Sequence, residues 1–228
     1  MIIKASDFVI KLPDPRYAPT DAPIAYGGQL TTDRLIEAYT KGIFPWYEND
    51  SSPILWWSPD PRALIKVADF KPSRSLRKRI KSNYFDFSAD TAFEDVITNC
   101  QTIRRDESNK TWITPKMKRA YCQLHHRGYA HSIETWLNGD LVGGLYGISL
   151  GNWFFGESMF SLISDASKAA LSVLIQQLKS WDFEWVDCQI MNPHLYSLGA
   201  RDVRRAEYLD LLAQNKLSGT RNFRWQLI

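Results

Sequence analysis

The sequence predicts an α+β fold, with a small N-terminal domain over residues 1–62 and a mixed-sheet domain over residues 63–228. Three observations predict it. Prolines crowd the first 62 residues, which leaves room for little regular structure there. Two runs suited to strands flank Asn138-Gly139, the strongest short-range hairpin signal. A long helical pattern at 165–180 then leads into a strand-like run at 184–190. A length of 228 residues suits one large domain, or a main domain with a small one attached. An apolar fraction of 44% can fill its core.

The elements follow in order. Pro13, Pro15, Pro19 and Pro23 make residues 1–30 irregular. TTDRLIEAYTKG (31–42) reads as a short helix, opened by Thr or Asp and stopped by Gly42. IFPWYENDSSPILWWSPDPR (43–62) reads as a stiff aromatic loop that holds its rings in place, and the domain boundary falls near Arg62. ALIKV (63–67) and YFDFS (84–88) read as strands around a basic helix at 73–81, and 90–100 as an amphipathic helix. Thr114 as N-cap, Pro115 at the first helical position and Gly128 past the end delimit the next helix. Strands at 131–137, 140–150 and 153–161, the helix at 165–180, the strand at 184–190 and a helix near 204–214 complete the chain. The order β-β-β-α-β from residue 131 is that of the acyltransferase core found in N-acetyltransferases.

Composition excludes several classes. A net charge of +3 gives no global field for nucleic acid, but residues 71–81 hold six basic residues and no acid. The three cysteines, Cys100, Cys122 and Cys188, are too far apart for a disulfide framework or a CxxC metal site and read as small core residues. The four histidines lack metal-ligand spacing, and GxSxG and GxxxxGK[ST] motifs are absent. No apolar run approaches the ~20 residues of a membrane span, so a cytoplasmic protein with no membrane contact is expected. Nine tryptophans are many for this length, and excess Trp often lines sites for flat ligands.

Chemistry is sought in two strands. In WVDCQIMN (185–192) simple alternation would set Asp187 and Gln189 side by side on one face. In WFFGESMFS (153–161) the interior Gly156 suggests a bulge that would bring Phe154 near Glu157. Glu157 and Asp187 could then reach one cleft. The helix at 165 opens with SDASKA, without the Gly-rich turn that would hold a pyrophosphate, so a coenzyme A donor has no seat there.

The chain resembles the bacterial leucyl/phenylalanyl-tRNA–protein transferases in GIFPWY (42–47), ILWWSPDPR (54–62), TWIT (111–114), AYCQLHHRGYAHSIE (120–134), LVGGLYG (141–147), FGESMFS (155–161), DASKAAL (165–171), DCQIMN (187–192) and SLGA (197–200). The resemblance implies transfer of Leu or Phe, also Met, from aminoacyl-tRNA to proteins beginning with Arg or Lys, which marks them for degradation. It implies an acetyltransferase-like core behind a small N-terminal domain; no cofactor or metal is expected, and the chain is expected to act as a monomer. Two positions depart from the family pattern: Gln29, where Asp is frequent, and Arg204, where Pro is frequent.

On this reading Gln189 accepts a hydrogen bond from the attacking amine, Asp187 holds the Gln189 amide, and Glu157 orients the amine or the ribose. Phe154, Met159, Leu171 and Leu174 are expected to form the apolar pocket, with Asn192 among the substrate contacts. Trp46 and Trp112 are expected to stack on the terminal adenine, with Tyr39 and Tyr121 beside them, while Trp56 and Trp57 are structural. Arg74, Arg77, Lys78 and Lys81 are expected on tRNA phosphates. An acetyl-CoA-dependent acetyltransferase and a noncatalytic tRNA- or peptide-binding module are the alternatives.

Overall fold

A computed structural model of the chain describes residues 3–5, 11–103 and 111–228. Two sheets organise it. The smaller one has order β1-β2-β4-β3, built from β1 (Ile3–Ala5), β2 (Ala25–Gly27), β3 (Phe44–Pro45) and β4 (Leu55–Trp57). Helix α1 (Thr32–Thr40) lies between β2 and β3 in the chain, and its N-cap Thr31 accepts from the Arg34 N–H. Such a cap is worth about 1 kcal/mol. Residues 1–30 and 43–62 were expected to be irregular, yet they supply all four strands. Strands of two or three residues carry no readable period, and Pro45 is tolerated because β3 is an edge strand. Residues 1–2 and 6–10 lie outside the described part.

The larger sheet begins at Arg62. Its strands are β5 (Arg62–Lys66), β6 (Asp86–Ala89), β7 (Ala130–Leu137), β8 (Asp140–Leu150), β9 (Trp153–Ser161), β10 (Trp185–Asp187) and β11 (Arg201–Val203). Their spatial order is β11-β5-β10-β9-β8-β7-β6. Asn138 and Gly139 turn the β7–β8 hairpin with φ of 53° and 87°, as a type I′ turn requires. The meander β7-β8-β9 is antiparallel, and β10 returns parallel to β9 after helix α5 (Ala166–Ser180). This is the β-β-β-α-β order read from the sequence.

Each face of the large sheet has its own core. Helices α3 (Phe93–Thr102) and α4 (Pro115–His126) cover one face, where Phe155, Phe160 and Tyr146 join Leu35 and Tyr39 of α1. Helix α5 covers the other, where Phe154 and Leu145 meet Leu171, Leu174 and Leu178. Helix α2 (Arg74–Lys81) packs beside α5 through Leu76, and α7 (Arg205–Leu212) closes the end near the N-terminal sheet with Tyr208. The short α6 (Pro193–Ser197) and β11 were not anticipated. No helix among the described residues is long and apolar enough to cross a membrane.

Candidate active site

Strands β9 and β10 part company, and the gap is a cavity. Their pairing ends at Asp187 opposite Phe155. Beyond that point the chain stays bonded to β5: Cys188 N–H donates to the Ala63 carbonyl at 2.9 Å and Ala63 N–H to the Gln189 carbonyl at 3.0 Å. β9 meanwhile runs on to Ser161 without that neighbour. The opening between them has a volume of about 1030 Å³.

A bulge aims the side chains of β9. The β8–β9 register jumps from Tyr146 opposite Ser158 to Gly147 opposite Gly156, so Glu157 is the extra residue. Parity confirms it: Phe154 and Met159 lie on the α5 side, and Phe155 and Phe160 on the other. Residues five apart share a face only if the alternation has slipped once. A side chain on Gly147 would collide with the Phe155 carbonyl and the Phe154 ring, so the bulge needs glycine opposite it. Phe154 and Glu157 accordingly line one cavity, as the interior glycine suggested.

Glu157 is the sole carboxylate among the described lining residues. Tyr39 and Tyr121 donate to its two oxygens at 2.6 and 2.8 Å, and the two hydroxyls lie 2.6 Å apart. Burial pushes the Glu157 carboxyl up to about 7, against the two tyrosine hydrogen bonds, which favour the anion. Burial and the Glu157 charge likewise raise both phenols well above their ordinary value. Tyr39 and Tyr121 are themselves wholly buried. The expectation that they stand beside Trp46 and Trp112 at a nucleobase is corrected: they lie beneath the cavity and hold Glu157.

Asp187 is also displaced from its expected place. It is fully buried and does not line the cavity. Arg62 Nε donates to its Oδ1 at 2.9 Å and Nη2 to its Oδ2 at 2.8 Å, and the Tyr208 hydroxyl donates to Oδ2 at 2.9 Å. The strand expected to reach residue 190 stops at Asp187, because Gln189 adopts a left-handed backbone with φ of 58°. That turn ends the alternation on which a side-by-side Asp187–Gln189 pair depended. The acid binds the backbone of Gln189 instead, with the Gln189 N–H donating to Asp187 Oδ1 at 2.9 Å. The Gln189 side chain lines the cavity, and its Nε2 is buried without a hydrogen-bond partner among the described residues. Cys188 lines the cavity too while packing, half-buried, against the core on the α5 side; burial pushes its thiol far up.

The remaining expected residues divide clearly. Phe154, Met159, Leu171 and Leu174 line the cavity together, with Phe154, Leu171 and Leu174 buried and Met159 half-buried. Trp46, 41% exposed, and Trp112 line the same cavity. Trp57 packs on Trp46 and donates its indole N–H to the Trp46 carbonyl at 2.8 Å, while Trp56 is buried. Asn192 lines the mouth and caps α6, accepting from the Leu195 N–H. Arg74, Arg77, Lys78 and Lys81 are exposed on α2 without ion-pair partners among the described residues, whereas Arg79 is tied to Asp165 at 3.1 Å. Arg204 is exposed, and Gln29 borders a separate cleft along α4. Arg62 and Tyr208 were not singled out from the sequence. An arginine ending a Pro-rich loop gives no sign that it will be buried. Among the described residues no three His, Cys, Asp or Glu side chains are placed to hold a metal ion.

The family profile described as leucyl/phenylalanyl-tRNA protein transferase matches residues 64–213, and the profile of that family's N-terminal domain matches residues 28–60. A leucyl/phenylalanyl-tRNA–protein transferase of Desulfatibacillum aliphaticivorans is 48% identical over 227 residues, which is 100% of this chain and 97% of that protein. One from Legionella pneumophila (strain Corby) is 48% identical over 223 residues, 98% of this chain and 99% of that protein. The structure of L-PGS from Bacillus licheniformis superposes with a TM-score of 0.41 at 10% identity, over 74% of this chain and 53% of that one, which is too slight to bear on function.

Proposed function

The chain belongs to the leucyl/phenylalanyl-tRNA–protein transferase family, and from that premise we propose that it transfers Leu or Phe, and also Met, from aminoacyl-tRNA to the N-terminal amine of proteins beginning with Arg or Lys. The observation that carries this reading is the convergence, in one cavity, of an apolar slot, a half-buried carboxylate, an unpartnered amide and two tryptophans.

The reaction is aminolysis of an ester. The amine nitrogen attacks the aminoacyl carbonyl carbon, the ester C–O bond breaks, and one amine proton ends on the ribose oxygen. An α-amine has a pKa of roughly 7.7–8.0, so a useful fraction is neutral near pH 7. Holding amine and ester together can therefore supply much of the rate, up to about 7–11 kcal/mol. Gln189 Oε1 accepts from the attacking amine, and its unpartnered Nε2 donates to an ester oxygen. Glu157, raised to about 7, lies close to the amine's own proton affinity. It takes the amine proton and returns it to the leaving ribose oxygen.

Specificity follows from the lining. Phe154, Met159, Leu171 and Leu174 take an unbranched-at-Cβ apolar side chain, with Met159 adapting to Leu, Phe or Met. Trp46 and Trp112 hold the terminal adenine, where stacking is worth roughly 1–3 kcal/mol per base. Glu157 is the acid within reach of a cationic acceptor. Arg74, Arg77, Lys78 and Lys81 hold acceptor-stem phosphates. Residues 1–62 and 63–228 act as two units of one monomeric, cytoplasmic enzyme, the smaller carrying Trp46 to the cavity. The test is direct: radiolabelled Leu-tRNA is mixed with a peptide beginning with Arg. Labelled peptide is expected; none, with tRNA binding intact, would leave a binding module.

A further inference from the structure

We infer that Arg62 is a positioning residue for transfer: by clamping Asp187 it sets the Gln189 turn, and by the same guanidinium it ties down the aromatic wall across the cavity. The inference rests on the proposed role of Gln189. Asp187 reaches the cavity only through a backbone contact, its Oδ1 accepting from the Gln189 N–H at 2.9 Å. A left-handed conformation at a non-glycine residue is unfavourable and needs such an external hold. Everything else around that carboxylate is committed. Arg62 grips both oxygens, and Tyr208 takes the remaining place on Oδ2.

The other end of the guanidinium points the opposite way. Arg62 Nη1 donates to the Gly42 carbonyl at 3.1 Å, and the guanidinium carbon lies 4.9 Å from the Phe44 ring centroid and 4.6 Å from that of Tyr208. Gly42 has φ of 73°, and a Cβ there would sit 2.5 Å from the Tyr208 ring. Two residues on, Phe44 opens the segment Phe44–Trp46 that lines the cavity. One wholly buried side chain thus spans from the wall that carries Trp46 to the turn that carries Gln189. Lysine keeps the charge but cannot make the forked contact with Asp187 while also reaching Gly42. Asp187 on this view shapes the turn through its contacts and passes no proton to the substrate. The groups around it are Arg62 from β5, Tyr208 from α7 and, on the neighbouring strand β9, Glu157.

The test uses the full chain and the variants Arg62→Lys, Tyr208→Phe and Asp187→Asn. Steady-state rates with Leu-tRNA and an Arg-initiated peptide are measured from pH 5.5 to 9 alongside amide hydrogen exchange. In Arg62→Lys, kcat is expected to fall about 10²-fold, the scale of an ångström-sized misplacement, with the KM for Leu-tRNA changing far less. Exchange at the Gln189 N–H should quicken in both Arg62→Lys and Asp187→Asn, while amides of the β7–β8 hairpin keep their protection. Asp187→Asn should keep the acid limb of the rate profile, because the titrating group is elsewhere. A lost acid limb in Asp187→Asn, or unchanged Gln189 exchange in Arg62→Lys, overturns the inference. Should Arg62→Lys not fold, Tyr208→Phe carries the same exchange measurement. If wild-type protein transfers no label, the functional reading fails by itself, and the exchange data still decide whether Arg62 holds the turn.

Discussion

Two carboxylates lie on neighbouring strands, and both are bonded to side chains of the same core; their surroundings differ in one respect. Asp187, beneath the β9–β10 gap, faces a guanidinium as buried as itself. Glu157, on the wall of the gap, faces two phenols. A cation answers the first charge, and only hydroxyl dipoles answer the second. Burial works against the Arg62 charge, and the facing carboxylate outweighs it, so the guanidinium holds its proton more tightly than usual. Burial of Glu157 is not so answered, and its carboxyl rises to about 7. A buried acid with a matched cation serves as architecture, and a buried acid without one can exchange protons at neutral pH.

The largest expected effect comes from removing the unanswered charge. Glu157→Gln should lower transfer by about 10²–10⁴-fold and remove the acid limb near pH 7 from the rate profile. Its stability should move the other way. The folded carboxyl titrates at about 7 against an ordinary 4.5, so the fold holds a proton that the unfolded chain has released. That stability is fully present below about 4.5 and is lost as pH rises through about 7. Urea melts across this range should slope downward in the native enzyme and lie flatter in Glu157→Gln. An unaltered slope would mean that the phenols compensate the charge after all.

Breaking the answered pair should act on the fold first. Asp187→Ala leaves Arg62 buried and uncompensated, and a loss of about 3–5 kcal/mol in urea unfolding is expected. A loss below 1 kcal/mol would show that water reaches the guanidinium. Met159→Ala tests the apolar end, away from both acids. Discrimination among Leu, Phe and Met donors, read as kcat/KM ratios, should shift by about 1–3 kcal/mol, with Phe gaining relative to Leu. Unaltered ratios would remove Met159 from donor choice. The smallest effect is expected at Lys78 on α2, which is exposed and without an ion-pair partner among the described residues. Lys78→Ala should reduce the slope of log tRNA affinity against log salt by about 1; an unchanged slope would take Lys78 off the tRNA.

Wherever a signal is local, the sequence alone determined the result. Thr114, Pro115 and Gly128 delimited α4, and Asn138-Gly139 turned the hairpin. The interior Gly156 even announced the bulge at Glu157. These signals lie within a few residues of what they specify, because capping, turn geometry and period act over that distance. Tertiary structure decided which polar groups meet. Arg62 finds Asp187 from 125 positions away, and Tyr39 finds Glu157 from 118. Gln189 takes a left-handed turn that no glycine or asparagine advertised. Each outcome depends on charge compensation and space inside the packed sheet, and neither quantity exists until the strands are side by side.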